Sequence, residues 1–231
     1  MNPENYSQGV PVIDLDDQSR GTFIARTYNH LAGAIAGFTL LEVFFFRTGL
    51  AESMDRAMLG TSWLLVLGGF VVVSWVARAA AHRATSQAAQ YAALAGYVIA
   101  EAIIFVPLLY IANHYAPGVI ASAALITLLA FAGLTGIVFA TRKDFSFLRG
   151  VLMWGGILAM VLIVGGALFG FQLGTYFSVA MVGLAGAAIL YDTSNVMHHY
   201  PQDRYVAAAL ELFASVALML WYVMRLLMSR R

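Results

Sequence analysis

A single aspartate interrupts a long apolar run near the end of the chain, and it is the residue most able to carry chemistry. Asp192 lies within residues 177–196, a run that is apolar and long enough to cross a bilayer. A carboxylate at membrane depth costs roughly 2.5–3.5 kcal/mol on insertion scales, so it persists where it faces protein or water. Such a residue usually marks a functional site, and we treat Asp192 as its centre.

Glu211 is the acid that we expect to find beside Asp192. Asp192 is about one turn from the end of its apolar run, and Glu211 follows Tyr205, where the next run begins, by six residues. Six helical residues correspond to roughly 9 Å of depth. On consecutive antiparallel helices, the two carboxylates would therefore lie at similar depth. Burial and mutual approach favour proton exchange near physiological pH, so the pair is a candidate proton sensor.

Two further charged residues are predicted to belong to this site. Arg78, at the end of the second apolar run, lies at a depth that allows an ion pair with Asp192, which protonation would release. The alternative is that Arg78 only extends its guanidinium to the interface. Glu101, in the middle of the third run, is expected to be paired within the bundle or to line a cavity.

A fourth acid within the apolar runs is interpreted differently. Glu42, beside Arg47, is interpreted as an interfacial anchor.

The histidines of the chain do not predict a metal centre. His198 and His199, with Asp203 nearby, have the spacing of a loose metal site. Adjacent histidines on a loop rarely converge on one ion, so we interpret them as a solvated turn that Pro201 ends. The absence of cysteine excludes disulfides, thiolate metal sites and cysteine nucleophiles. We expect no resident cofactor, and no protease or nucleophile motif supports an enzyme.

The composition indicates a membrane protein of several spans. Of the 231 residues, 61% are hydrophobic and 11% are charged, and the apolar residues form long blocks. A net charge of +1 argues against nucleic acid as a partner, so the expected environment is the lipid bilayer. The apolar blocks of about 20 residues predict seven transmembrane helices. They cover residues 24–46, 59–77, 91–112, 119–140, 149–171, 175–196 and 205–228.

The chain is predicted to divide into a tail and a single membrane domain. Residues 1–19 are polar and read as a flexible cytoplasmic tail, and residues 20–231 form the seven-helix domain. The tail does not begin with basic residues followed by an apolar stretch, so no cleavable signal peptide is expected. Its acids, Asp14, Asp16 and Asp17, are the candidate partner-binding residues.

The distribution of arginine and lysine predicts the orientation. One end of the bundle, called the basic end below, collects Arg20, Arg26, Arg78, Arg83, Arg142, Lys143, Arg149 and Arg204. The other end collects Arg47, Arg56, Arg225, Arg230 and Arg231. Because cytoplasmic loops carry the excess of basic residues, we expect the N-terminus in the cytoplasm and the C-terminus outside.

Two short motifs resemble those of a known family. The run ATRKDFSFL (residues 140–148) is similar to the T-x-[KR]-D-[FLM]-S motif of the Bax inhibitor 1 (TMBIM) membrane proteins. The run LYDTS (190–194) resembles their Y-D-T-[QS] motif, and Arg26-Thr27-Tyr28 is similar to the start of their first helix. The resemblance covers about residues 20–228. It implies an all-α integral membrane fold in which six helices wrap around a central C-terminal helix.

The same resemblance implies two different functions. Some members of the family leak calcium under the control of two carboxylates, of which the first falls on Asp192. In this chain Ser215 holds the place of the second, so the sensor is incomplete, and Glu211 is one turn away on the same helix face. Ser215 and the run around residues 141–153 are more similar to the bacterial YccA-like branch. Its members modulate the membrane-anchored ATP-dependent protease FtsH.

Two interpretations therefore remain open. In the first, the chain is a non-enzymatic regulator in a bacterial inner membrane, and its flexible polar tail is the segment that a membrane protease complex engages. In the second, it is a pH-sensitive leak, with calcium as the transported ion. Protonation of Asp192 could also switch the shape that the partner binds. The sequence leaves the oligomeric state open.

Overall fold

The computed structural model describes residues 9–60, 63–83 and 86–229, and this part of the chain is helical apart from its turns. A short 3-10 helix, Val12–Asp14, precedes the longer helices. These are α1 (Asp17–Thr48), α2 (Leu50–Leu59), α3 (Trp63–Arg83), α4 (Gln87–Tyr115), α5 (Val119–Thr141), α6 (Leu148–Phe169), α7 (Thr175–His198) and α8 (Tyr205–Met228). Seven of them, all except α2, are long and apolar enough to cross a membrane, which confirms the predicted number of spans.

The helices extend beyond the apolar blocks that predict them. α1 begins at Asp17, seven residues before the block at 24–46, and α3 continues to Arg83 instead of ending near residue 77. Hydropathy detects the lipid-facing part of a helix, whereas backbone hydrogen bonds continue into polar residues. α2, a helix between two spans, was not predicted from the sequence. Gly49, with a φ of 77°, ends α1 in the left-handed region that favours glycine and starts α2.

α8 lies at the centre of the bundle, as expected for this all-α fold. It packs against α1, α3, α4, α5 and α7, and most of its length is buried. Its first turns are rich in alanine (residues 207–209), and such small side chains let helix backbones approach closely in a membrane. α6 differs from the other spans, because it lies against α7 and α3 without backbone contact to α8. This displacement leaves a long space beside α8.

Residues 9–16 lie across the basic end of the bundle, and we call them the N-terminal strap. Val12 is fully buried, and its N–H donates to the carbonyl oxygen of Tyr200 at 2.9 Å. The N–H of Gln202 donates to the carbonyl oxygen of Val10 at 3.2 Å. The strap is thus paired with the turn between α7 and α8, residues 199–204.

Arg20 and Asp16 fix the strap where it enters α1. The guanidinium of Arg20 donates to the carbonyl oxygens of Ile13 and Leu15, at 2.8 and 3.2 Å. The carboxylate of Asp16 caps α1 by accepting from the N–H of Ser19 at 3.0 Å, and this bonding to Ser19 lowers the pKa of Asp16.

The structure therefore divides the predicted tail differently from the sequence. The prediction treats residues 1–19 as one flexible tail, but residues 9–16 pack onto the bundle because Val12 is buried and their backbone is paired. Residues 1–8 lie outside the described part of the chain. The three predicted partner-binding acids are exposed, Asp14 and Asp16 on this packed segment and Asp17 at the first residue of α1.

Replacing Val12 with serine should release the strap. Burying a valine contributes roughly 1.5–3 kcal/mol, so its loss should increase opening of the strap by about tenfold or more. Amide hydrogen exchange measures this opening at the N–H groups of Val12 and Gln202. The matched control is Val10→Ser, because Val10 is half-exposed. Equal exchange rates in the two variants would show that burial of Val12 does not hold the strap.

Candidate functional site

A buried carboxylate–hydroxyl pair joins α7 to α8. The hydroxyl of Ser215 donates to Oδ2 of Asp192 at 2.5 Å, and both side chains are buried. Asp192 lies six residues before the end of α7, and Ser215 lies in the third turn of α8. The structure thus brings together two of the predicted site residues, and the hydroxyl satisfies one oxygen of a carboxylate inside the bundle.

Glu211 binds a second set of groups one turn away. Nη1 of Arg78 donates to its Oε2, and Nε2 of His82 lies 3.0 Å from its Oε1. The guanidinium of Arg78 also stacks over the ring of Tyr97, with 5.8 Å from Cζ to the ring centroid. α3 packs against α8, so both basic side chains reach Glu211 from one helix face at a spacing of four residues.

The predicted ion pair between Arg78 and Asp192 is therefore wrong. Within the described residues, the carboxylate that Arg78 binds is that of Glu211. The physical reason is position on α8: Glu211 is one turn closer than Ser215 to the basic end, where the last turns of α3 pass. Asp192 keeps the hydroxyl of Ser215 as its partner. We call Asp192, Ser215, Glu211 and Arg78 the carboxylate cluster.

The carboxylate cluster lies where two cavities meet. The basic-end cavity has a volume of about 440 Å³, and the long cavity beside α8 has a volume of about 900 Å³. Tyr191, Asp192 and Glu211 line both cavities. The basic-end cavity is further lined by His82, Asn195, His199, Tyr200 and Pro201. A change at the cluster can therefore alter both spaces.

The two remaining membrane acids have different surroundings from each other. Glu101 is buried and, like Arg78, lines the long cavity. Lining a cavity is one of the two roles predicted for Glu101. Glu42 is not the interfacial anchor that the sequence predicts. It is 7% exposed, and neither of its carboxylate oxygens has a hydrogen-bond partner among the described residues. The acid therefore points into the protein instead of toward headgroups.

His82 and Tyr200 belong to the site, and the sequence analysis missed both. The ring of His82 stacks on Tyr200, with centroids 5.9 Å apart and an interplanar angle of 20°. Burial raises the pKa of the Tyr200 phenol well above its usual value. His82 was missed because the predicted helix ended near residue 77. Its spacing of four residues from Arg78 would have placed it on the same face of a longer helix.

The two family-like motifs meet at the basic end. The carboxylate of Asp144 accepts from the N–H of Ser146 at 2.8 Å and from the hydroxyl of Ser194 at 3.3 Å. Ser194 in turn accepts from the N–H of Phe145 at 2.8 Å. The hydrogen bond from the backbone of Ser146 lowers the pKa of Asp144. Ser194 is two residues after Asp192, so the loop between α5 and α6 is attached next to the cluster.

The predicted solvated turn around His198 and His199 is more ordered than expected. Nε2 of His199 lies 3.0 Å from Oδ2 of Asp144, and Nδ1 of His198 bonds to the carbonyl oxygen of Ser194 at 2.8 Å. Asp203 lies instead 3.5 Å from Nε of Arg204. Across residues 9–60, 63–83 and 86–229, no three histidine or acidic side chains are grouped so that they could hold a metal ion.

Comparison with known proteins identifies the family. The family model described as "Inhibitor of apoptosis-promoting Bax1" matches residues 20–231. Human Bax inhibitor 1 is 26% identical over 195 residues, which cover 81% of this chain and 80% of that protein.

Two bacterial relatives match a shorter stretch. An uncharacterized protein of Pseudomonas aeruginosa is 36% identical over 101 residues, and the Escherichia coli protein named Modulator of FtsH protease YccA is 33% identical over 99 residues. Each match covers 42% of this chain, and it spans 44% and 45% of the two relatives, less than half of their length. Because the family model covers nearly all of the membrane domain, the chain belongs to the Bax inhibitor 1 family of multi-pass membrane proteins.

Proposed function

We propose that the protein is a non-enzymatic regulator in a bacterial inner membrane. It engages a membrane-anchored ATP-dependent protease of the FtsH type at the basic end, and protonation of Asp192 switches the surface that the protease meets. The observation that carries this proposal is the pairing of the N-terminal strap with the turn that lines the basic-end cavity.

The strap supplies a physical connection between a partner and the cluster. Its backbone is bonded to Tyr200 and Gln202, and Tyr200 and Pro201 line the cavity that reaches Asp192. Asp14 and Asp16 of the strap and the adjacent Asp17 are exposed on the outside. A partner that binds these acids would favour one position of the turn, and the turn borders the cavity at the cluster. The relative named as an FtsH modulator supports a protease as that partner.

The charge of the cluster explains how a proton could act as the signal. Arg78 and Glu211 neutralise each other, so an ionised Asp192 leaves the carboxylate cluster with a negative charge that is bonded to the hydroxyl of Ser215. An uncompensated buried charge is costly, and access to water lowers that cost. Deprotonation should therefore favour opening of the basic-end cavity, and protonation should favour its closure.

Neutralising the three exposed acids at the strap and the start of α1 should abolish binding to the protease. In the variant Asp14→Asn/Asp16→Asn/Asp17→Asn the negative charges are lost, while asparagine at residue 16 still caps α1. We expect co-purification with an FtsH-type protease to be lost, and the effect of the protein on ATP-dependent cleavage of a membrane substrate to disappear. In Asp192→Asn, binding should remain but should respond less to pH than binding of the unmodified protein, because the carboxylate that takes up the proton is absent.

The control for this experiment is Glu52→Gln, which removes an exposed acid that pairs with Arg56 on α2, in the connection between α1 and α3. Binding should be unchanged in this variant. If the unmodified protein neither bound the protease nor changed its cleavage rate, the proposed function would be refuted.

A second function is favoured by the meeting of the two cavities. Tyr191, Asp192 and Glu211 line both spaces, so the cluster lies on a route that leads from the basic end along α8. Such a route would suit a pH-sensitive leak for calcium or another cation. The two functions are compatible, because opening of the basic-end cavity would also widen this route.

Calcium flux into liposomes tests the leak. If the route conducts, raising the pH should increase flux of the unmodified protein, because deprotonation of Asp192 favours the open basic-end cavity. The dependence on pH should be absent in Asp192→Asn and retained in Glu52→Gln. Flux equal to that of protein-free liposomes at every pH would exclude the leak and leave the regulator as the function of the protein.

A further inference from the structure

The long cavity beside α8 faces the membrane. It lies between α3, α4, α6, α7 and α8, because α6 stands away from α8. Several apolar side chains that line it are also exposed at the surface of α3 and α6, where only lipid would cover them. They are Val71, Trp75, Met153 and Met160. The gap between these two helices therefore connects the cavity to the hydrocarbon of the bilayer.

The cavity is long enough to hold an extended hydrocarbon chain. It reaches along α8 from Glu211 to Arg225, and fourteen helical residues correspond to roughly 21 Å. Half of the hydrocarbon core of a bilayer, the part that one leaflet fills, is about 15 Å thick. Small residues keep this length open, among them Gly156, Ala214 and Ala217. A Cβ built on Gly156 would meet no atom within 4 Å.

The charges of the lining are separated along this length. The acids Glu101, Asp192 and Glu211 lie toward the basic end and the middle of the bundle, where Arg78 is paired with Glu211. At the opposite end the lining has a single charged side chain among the described residues, that of Arg225.

Arg225 is held in place to receive an anion. Its Nη2 donates to the carbonyl oxygen of Leu173 at 3.4 Å, and its Cζ lies 5.9 Å from the centroid of the Tyr222 ring. No salt bridge to Arg225 is formed within residues 9–60, 63–83 and 86–229. It lies three residues before the end of α8, where a span of this length is expected to reach the headgroups, and arginine binds phosphate through a planar fork of donors.

From this arrangement we propose that the long cavity binds one acyl chain of an anionic phospholipid from the surrounding bilayer, with the phosphate of that lipid at Arg225. The chain enters between α3 and α6 and runs along α8 toward the carboxylate cluster. The lipid then fills the apolar part of the route on which a cation leak would depend. The proposal does not require a protease partner, so it can fail while the proposed regulator stands.

Fluorescence quenching of Trp221 tests the proposal. Trp221 lines the cavity one turn before Arg225, with its ring 5.0 Å from that of Phe105. In a background in which Trp63, Trp75 and Trp154 are replaced by phenylalanine, the full-length protein is reconstituted into vesicles. These contain phosphatidylglycerol or phosphatidylcholine brominated near the headgroup end of the chain. We expect stronger quenching by phosphatidylglycerol than by phosphatidylcholine at equal mole fraction.

Two variants separate a lipid in the cavity from lipid on the outer surface. Arg225→Gln should remove the preference for phosphatidylglycerol. Gly156→Leu should reduce quenching by both lipids, because its side chain occupies the cavity. The matched control is Gly133→Leu, an exposed glycine of α5 with no atom within 4 Å of its built Cβ, and it should leave quenching unchanged.

Equal quenching by the two brominated lipids would overturn the proposal. So would a preference for phosphatidylglycerol that persisted in Gly156→Leu, since this would show contact with lipid at the outer surface only. If Gly156→Leu failed to fold, judged by size-exclusion chromatography, Arg225→Gln would still decide the result, because that substitution adds no volume to the packed interior.

Discussion

The ion pair between Arg78 and Glu211 determines how this bundle holds charge inside a membrane. A charged side chain at membrane depth must be paired or must reach water. Arg78 and Glu211 satisfy each other across α3 and α8, and His82 adds a second donor to the same carboxylate. As a result Asp192 is left with a hydroxyl, the weakest of the available partners. The pairing thus leaves Asp192 as the acid of the cluster that has no salt-bridge partner among the described residues.

The rest of the basic end is built around this cluster. Asp144 and Ser194 attach the loop between α5 and α6 to α7, close to Asp192. The N-terminal strap is bonded to the turn between α7 and α8, and Arg20 holds the strap by its carbonyl groups. Three connections along the sequence therefore converge on one small volume. Such convergence allows a proton or a partner at the basic end to influence the same helices.

The fold could be predicted from the sequence to a large extent, because apolar length alone determines which segments span a membrane. The seven spans are confirmed by the structure. What could not be predicted is how far each helix continues beyond its apolar block. The predicted end of α3 near residue 77 left out His82, and the burial of Val12 was not predicted because residues 9–16 are too short to form a span. Hydropathy averages over a window of about 19 residues, in which the polar residues around this short segment outweigh its few aliphatic side chains.

The residues of the candidate site could be predicted from the sequence, but which of them form the ion pair could not. Depth along the helices places Asp192, Glu211 and Arg78 at a similar level, the family resemblance adds Ser215, and the structure brings all four together. The choice of partner depends on a difference of one turn along α8, about 5 Å, which the ends of the apolar runs do not locate closely enough. The family resemblance identified Ser215 as the substituted acid, and Glu211, one turn earlier, is the residue that binds Arg78.

A double-mutant cycle measures the pairing at the centre of this account. Arg78→Gln is combined with Glu211→Gln and, separately, with Asp192→Asn, and the free energy of unfolding is measured in detergent for each single and double variant. Contacting residues typically show coupling of about 0.5–3 kcal/mol. We expect coupling of this size between Arg78 and Glu211, and a smaller value between Arg78 and Asp192. A larger coupling of Arg78 to Asp192 than to Glu211 would contradict the account.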